Sequence, residues 1–257
     1  MTTKDIIMNE ASKAASLIAC ESSVDDIRTA ISLIARYDMQ AAKIDAKTTD
    51  AHIRQILPKL FRGINTAQWD KQISYYIDHA TEYPLSKLDG VPITVKEMDT
   101  IRSIDGARAK CFAFSLLAVA KYDVARYPET NYWVRGDRIG EVVRRANLTL
   151  SQKDLGMMVH RMYKDGMVGL ADRKDSLSLH VLFADECGTT DMVLTDPDYR
   201  DLGYCLRARL GERYTRCEEC GRWIKQKSKG MLKRYCDACS ADNHRVSAAA
   251  HQRRKRA

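Results

Sequence analysis

Four cysteines in the last sixth of the chain have the spacing of a metal site. Cys217 and Cys220 are separated by two residues, as are Cys236 and Cys239, and fifteen residues lie between the pairs. A two-residue gap lets both thiolates of a pair turn toward one ion. A fifteen-residue gap accommodates a hairpin that returns the second pair to the same ion. Four sulfurs complete a tetrahedron around zinc and leave no position for water, so such a site folds its segment and does no chemistry. Two disulfides or a redox centre are the alternatives, disfavoured because no feature of the sequence suggests export. One structural Zn2+ per chain is expected. The remaining cysteines, Cys20, Cys111, Cys187 and Cys205, are scattered; Cys20 and Cys111 fall in helical patterns, where a buried free thiol is the default.

Charge is the second chemical signal. The chain carries a net +8, and residues 205–257 hold 15 Lys and Arg against 5 Asp and Glu, while the other 204 residues hold 27 against 29. All the excess therefore lies beside the cysteines. Such asymmetry points to a polyanionic partner, nucleic acid ahead of membrane, with a solvated tail that aids solubility as the plain alternative. Lys225, Lys227, Lys229, Lys233 and Arg234 surround the hairpin, and Arg253, Arg254, Lys255 and Arg256 follow it. Cations at a helix C-terminus complement its dipole, but four in succession exceed that need and suit phosphate binding.

The elements that must position these residues can be read locally. Gly221 directly follows Cys220, as in a tight knuckle whose turn needs positive φ. Arg222-Trp223-Ile224 suits a first strand, residues 226–230 a basic turn, residues 232–235 the return strand, and Ser240 the cap of a helix carrying Val246, Ala248, Ala249 and Ala250. Knuckle, hairpin and helix over residues 216–257 resemble a treble-clef zinc finger, a spacing specific for fold and not for function. HNH nucleases share that frame but need a general-base histidine on the hairpin between the cysteine pairs. Residues 221–235 contain none, so Asn243-His244 does not make one, and His244 and His251 read as surface or phosphate-contacting residues.

The middle of the chain supplies a second module. Thr94-Val95-Lys96-Glu97 fits a capping box. Asp105 is placed to cap a helix running to about residue 126, with Cys111, Phe114, Leu117 and Val119 on a wide apolar face. Asn131-Tyr132-Trp133-Val134 is β-like, Asp137 begins a helix with Ile139, Val142 and Val143, and Ser151 caps another that Gly166 ends. Residues 167–171 and 177–184 then read as two strands. This order resembles a winged helix-turn-helix domain. The resemblance implies a recognition helix at residues 152–164, with Leu155, Met158, Val159 and Met162 toward the core. Lys153, Met157, His160 and Lys164 share the other face with Arg161 beside them, and Arg173 and Lys174 lie at the wing tip. Asp154 and Asp165 dilute the charge of that helix and Gly156 gives it no side chain; winged helices also serve as protein-docking modules.

Four further helices are expected before residue 90. They start at Asn9, at Ser23 with Asp26, at Thr49 or Asp50 with Pro58 bending or ending that helix, and at Thr66. They read as scaffold, with a protein-interaction platform as the alternative. Residues 188–211 form a connector or a small extra layer in which Met192-Val193-Leu194 suits a strand. The nearby acidic residues, Asp198 and Asp201 among them, are read as solvated and not as a metal-dependent nuclease site. The fold expected is thus mainly α: an N-terminal helical bundle (1–90), a winged-helix middle (91–187), the connector (188–211), and a small four-cysteine zinc finger with a basic tail helix (212–257).

Residues 1–10 do not read as a signal peptide, and the apolar run 111–120 is too short to cross a bilayer, so a soluble cytoplasmic protein with no membrane partner is expected. Ile93-Thr94 with Glu97, Ala113-Phe114-Ser115-Leu116-Leu117 with Ala120-Lys121, Asn131 with Trp133-Val134, and the cysteine array resemble a group of uncharacterised proteins from phages and mobile elements of Gram-positive bacteria. That likeness implies an accessory or regulatory role and supplies no catalytic residues. No phosphate-binding Gly-x-x-x-x-Gly-Lys loop, nucleophile with its base, or open metal site is seen, so the chain does not read as an enzyme. Two functions remain: a nucleic-acid-binding protein, with DNA favoured over RNA, or an interaction protein that modulates a host protein or ribonucleoprotein complex.

Overall fold

The computed structural model describes residues 6–24, 26–171, 177–227, 230, 232–241 and 243–245. Helix accounts for 56% and strand for 11%, the mainly α composition that the periodicity implied. The chain divides into two compact units, residues 7–89 and residues 90–257, the latter also taking in residues 1–6.

In the first unit four helices enclose two apolar clusters, the smaller one formed by Ala14, Leu17 and Leu33. Helix α1 (Glu10–Ile18) is capped by Asn9, whose Oδ1 accepts from the Ser12 amide, and α2 (Ile27–Arg36) by Asp26. A π-helical turn, Tyr37–Ala41, leads to α3 (Ala46–Leu60), and a 3-10 turn, Thr66–Trp69, leads to α4 (Asp70–Asp78). Ile31 and Ile34 of α2, Ile53, Ile56 and Leu57 of α3, and Ile73 and Ile77 of α4 meet in the interior. Three starts differ from expectation. Helix α2 begins after Asp26 alone, three residues beyond Ser23. Helix α3 begins before Thr49 because Asp45 accepts from the Thr48 amide at 3.0 Å and from its hydroxyl at 2.7 Å, while Thr49 is buried. Pro58 lies inside the last turn, where its missing N–H removes one bond and the helix still reaches Leu60. Asn65, not Thr66, caps the 3-10 turn.

The second unit is organised around one helix. Strand β1 (Val91–Thr94) passes directly into α5 (Val95–Ser103) through the anticipated capping box of Thr94 and Glu97. Helix α6 (Ala107–Arg126) is buried from Cys111 through Asp123 without interruption. A helix enclosed on every side must be the centre of its unit. Its N-cap position belongs to Gly106 at φ 87°, and Asp105 makes no cap. Strand β2 (Trp133–Val134), α7 (Gly136–Arg145), α8 (Gln152–Lys164), β3 (Val168–Leu170) and β4 (Leu179–Val181) follow. The strands form an antiparallel sheet in the order β2-β4-β3. Ser151 and Asp154 close a capping box on α8, and Gly166 at φ 69° follows its end.

Residues 188–211 contribute one strand and one helix to this unit. Strand β5 (Thr190–Leu194), which contains the anticipated Met192-Val193-Leu194, pairs antiparallel with β1. Helix α9 (Leu202–Arg209) buries Leu202, Cys205 and Leu206 and packs on α6. Gly203 lets α9 also close on the end of α7, since a Cβ there would sit 1.9 Å from the Ala146 carbonyl oxygen. Beyond it, β6 (Tyr214–Arg216) pairs with β7 (Trp223–Lys225). The hairpin therefore flanks the first cysteine pair. The return strand expected at residues 232–235 does not form, because β7 takes its partner from upstream. No described helix is long and apolar enough to cross a membrane.

Candidate metal centre and nucleic-acid face

The β6–β7 hairpin is a clip for two sulfurs. Cys217 donates its amide to the Arg222 carbonyl at 2.8 Å, and the Gly221 amide returns to the Cys217 carbonyl at 3.0 Å. Gly221 takes φ 72°, the left-handed turn anticipated for it. The second pair is delivered by a segment that is helical at residues 237–241 and 243–245, starting before Ser240, whose amide bonds the Cys236 carbonyl at 2.8 Å. The Cys236 amide donates to Cys217 Sγ at 3.3 Å, and the Cys239 amide lies 3.5 Å from Cys236 Sγ.

All four sulfurs lie within 4.8 Å of one another, with Cys220 and Cys236 at 3.7 Å. A tetrahedral thiolate site with metal–sulfur bonds of about 2.3 Å needs sulfur–sulfur separations of about 3.8 Å, so the four cysteines are positioned to hold a metal ion. Electrostatics agrees with the geometry. Burial works against a Cys217 thiolate, but amides of Cys220, Cys236 and Glu219 bring its pKa down to about 6. Burial pushes Cys220 up, and burial with the neighbouring thiols pushes Cys239 up. One thiolate forms readily and a full set does not, unless a cation sits among them.

The metal segment is fastened to the rest of its unit by two buried carboxylates. Asp198 Oδ1 accepts from Arg216 at 2.6 Å and from the Trp223 indole at 3.0 Å, while its Oδ2 accepts from the Thr195 amide and hydroxyl at 3.0 Å. Asp201 accepts from Arg222 at 2.8 and 3.1 Å and from the Asn147 amide group at 3.0 Å. Both aspartates are buried, at 0% and 3% exposure, so the expectation that they are solvated is wrong for them. Every one of these bonds comes from a residue distant in sequence or from a local turn, which composition does not reveal.

The expected nucleic-acid residues fall into three groups. On α8, Leu155, Val159 and Met162 are buried and Met158 is half-buried, whereas Lys153, Met157, His160, Arg161 and Lys164 are exposed. Helical spacing thus brings these five to the outer side of one helix, and Arg161 also pairs with Asp105 at 2.9 Å. Around the hairpin, Lys225 and Lys227 are exposed and form no ion pair among the described residues. Lys233 pairs with Asp237 at 3.1 Å and Arg234 with Glu218 at 2.7 Å, so part of the local charge is already neutralised. Arg173, Lys174, Lys229, Arg253, Arg254, Lys255 and Arg256 lie outside the described residues.

A buried ionic cluster is a feature that the sequence pattern does not announce. Lys121 donates to Glu97 Oε1 and Oε2 at 2.9 and 3.0 Å and to the Asp185 carbonyl at 3.1 Å. Glu97 also accepts from the Thr94 amide at 2.7 Å and the Asp185 amide at 2.8 Å. Glu97 is thus both a helix cap and the counter-ion of α6. One signal does exist, since a single lysine inside an otherwise apolar helical run must find an anion. Alongside it, Asn131 and Tyr132 adopt φ 42° and 61°, and the Tyr132 hydroxyl bonds Glu186 at 2.5 Å. Left-handed backbone at a tyrosine is held only by such surroundings. Comparison of the chain with family models, curated proteins and solved structures finds no match.

Proposed function

We propose that this chain is a nucleic-acid-binding accessory or regulatory protein, not an enzyme, in which a winged helix and a zinc-loaded treble-clef finger contact a duplex, DNA in preference to RNA. The observation that carries the reading is the order α6-β2-α7-α8-β3-β4 with sheet order β2-β4-β3 and an α8 whose outer side is exposed and cationic. In winged helices the last helix enters the major groove and the hairpin touches flanking backbone. The β6–β7 knuckle and the helical turn carrying Cys239 support the finger, and four thiolates suit Zn2+ as its ion. A cytoplasmic setting and an origin in a phage or mobile element belong to the same proposal. The test is duplex binding followed against salt for the wild type and for Lys153→Ala with His160→Ala. Both side chains are exposed, so folding should hold while discrimination between sequences falls by about 1–3 kcal/mol for each base-reading side chain removed. Unchanged sequence preference sinks the recognition-helix assignment.

A second reading is favoured by one observation. Met157 and Tyr163 on α8 are 55% and 50% exposed, which suits docking on a protein. In that reading the chain modulates a host nucleic-acid-processing complex, and α8 binds protein while the basic tail touches the bound nucleic acid. Tight association with a host protein after nuclease treatment, without intrinsic duplex affinity, selects it.

A further inference from the structure

The first unit carries an open-sided cavity of about 310 Å³ lined by Arg28 of α2 and by Lys71, Gln72, Tyr75 and Tyr76 of α4. We propose that this cavity binds a nucleoside phosphate, either as a free nucleotide or as one unit of a single strand. Positions 71, 72, 75 and 76 fall one turn apart on α4, so their side chains rise from a common stretch of its surface. Arg28 and Lys71 form no ion pair among the described residues. Among the described residues, Asp70 pairs with Arg54 at 2.6 Å, and Asp26 accepts from the Thr29 amide and hydroxyl and from the Arg28 amide. Two cations with no ion pair among the described residues suit an anion.

The tyrosines call for a planar group. Tyr75 is 56% exposed, stacked on His79 at 4.3 Å between ring centroids and at 77° to the Tyr76 ring at 5.4 Å. An exposed tyrosine in an aromatic cluster is a stacking surface of the kind that accepts any base. Gln72 bears on the ligand's remaining chemistry. Its side-chain carbonyl oxygen is turned inward and receives no hydrogen bond among the described residues. An acceptor left without a donor is costly, and a turn of this amide toward the cavity that it lines would let a base amine or a ribose hydroxyl supply one. A phosphotyrosine side chain offers anion and ring but no such donor. The cavity lies at the small end of ligand sites, about 300–1,000 Å³, which suits one nucleotide and excludes a duplex.

The test uses the full chain, isotopically labelled, with AMP and a ten-nucleotide single strand as probes. Both should shift the Gln72 side-chain amide and the Tyr75 ring resonances. The stronger response identifies the source: AMP for a free nucleotide, the oligonucleotide for a strand. Tyr75→Ala should weaken the response by roughly 10-fold or more, and Arg28→Gln with Lys71→Gln should make strand binding less salt-dependent, by up to about 1.4 logarithmic units. These side chains are exposed, and thermal melts establish that the variants fold. Duplex affinity through α8 should be unchanged in both, so failure of duplex binding leaves this result standing. No shift at Gln72 with either probe, unaltered binding in the variants, or a response to phosphotyrosine in place of AMP overturns the proposal.

Discussion

The helices of residues 7–89 and the hairpin segment of residues 212–245 are held together by different physics. In the former, ten residues from Ala30 to Ala80 form one apolar cluster at 6% exposure or less, and the hydrophobic effect dominates the packing, with the Arg36–Glu10 and His52–Asp38 pairs beside it. The latter buries few apolar groups, Tyr214, Cys217 and Ile224 among them. It relies instead on four convergent sulfurs and on Asp198 and Asp201 gripping Arg216, Trp223 and Arg222. A small segment without a core of its own needs a staple, and here the staples are two buried carboxylates and a cysteine cluster positioned to hold a metal ion. The segment is correspondingly exposed to chemical interference that the helices would not feel.

Removing the metal should separate the two regions most sharply. A structural zinc contributes on the order of 10–16 kcal/mol to a finger. Cys236→Ser, or chelation of the wild type, should abolish zinc in metal analysis and open residues 212–245 to protease, while fragments covering residues 7–89 survive. A wild-type protein purified under reducing conditions without zinc would falsify the assignment. Leu57→Ala is the converse experiment. Truncating this fully buried side chain should cost about 2–5 kcal/mol in denaturant unfolding and leave zinc stoichiometry at one; a zinc loss would show that the two regions are not independent in stability.

Asp198→Asn should have a smaller effect. It keeps the volume but removes the charge facing Arg216. Removing one partner from a buried pair costs about 3–5 kcal/mol, reduced here because the Arg216 side chain is 43% exposed. The expected outcome is faster zinc release to a competing chelator with an unchanged melt of the helical unit, and an unchanged release rate would show that the carboxylate is dispensable for holding the finger. The smallest effect concerns the tail. Deleting residues 253–257 removes Arg253, Arg254, Lys255 and Arg256 and should make duplex binding less steep in salt by up to about 3–4 logarithmic units, with no change in either region's stability. An identical salt slope would make the tail a solubility feature and move the interaction-protein reading ahead.

The same contrast explains what could be read in the sequence. Helix starts at Asn9, Asp26, Thr94 and Ser151 are legible because a cap and its first-turn partner lie within three residues of each other. The cysteine array is legible because an ion imposes its own spacing. The split of α8 into a buried and an exposed side follows from period alone. Asp198 and Asp201 are not legible as buried because their partners, Arg216 and Arg222, stand 18 and 21 residues away. Strand β6 is hidden because three residues carry no period. Helix α9 is hidden because it has eight residues and begins beside Gly203, whose smallness serves its approach to Ala146. What tertiary packing alone decides, local pattern cannot announce.

Asp201 has a consequence of another kind. One of its oxygens holds Arg222, next to the first cysteine pair. Both Asn147, in the turn between α7 and α8, and Arg222 reach its other oxygen. Asn147 in turn accepts from the Tyr204 amide at 3.2 Å and adopts φ 54°. One carboxylate thus ties the hairpin that carries Cys217 and Cys220 to the turn that precedes α8, and any coupling between an ion at the hairpin and a ligand on α8 would be reciprocal. To whatever factor an occupied metal site favours the bound form of α8, a ligand on α8 tightens the metal by that same factor. Metal availability and target occupancy would then be two readings of a single equilibrium.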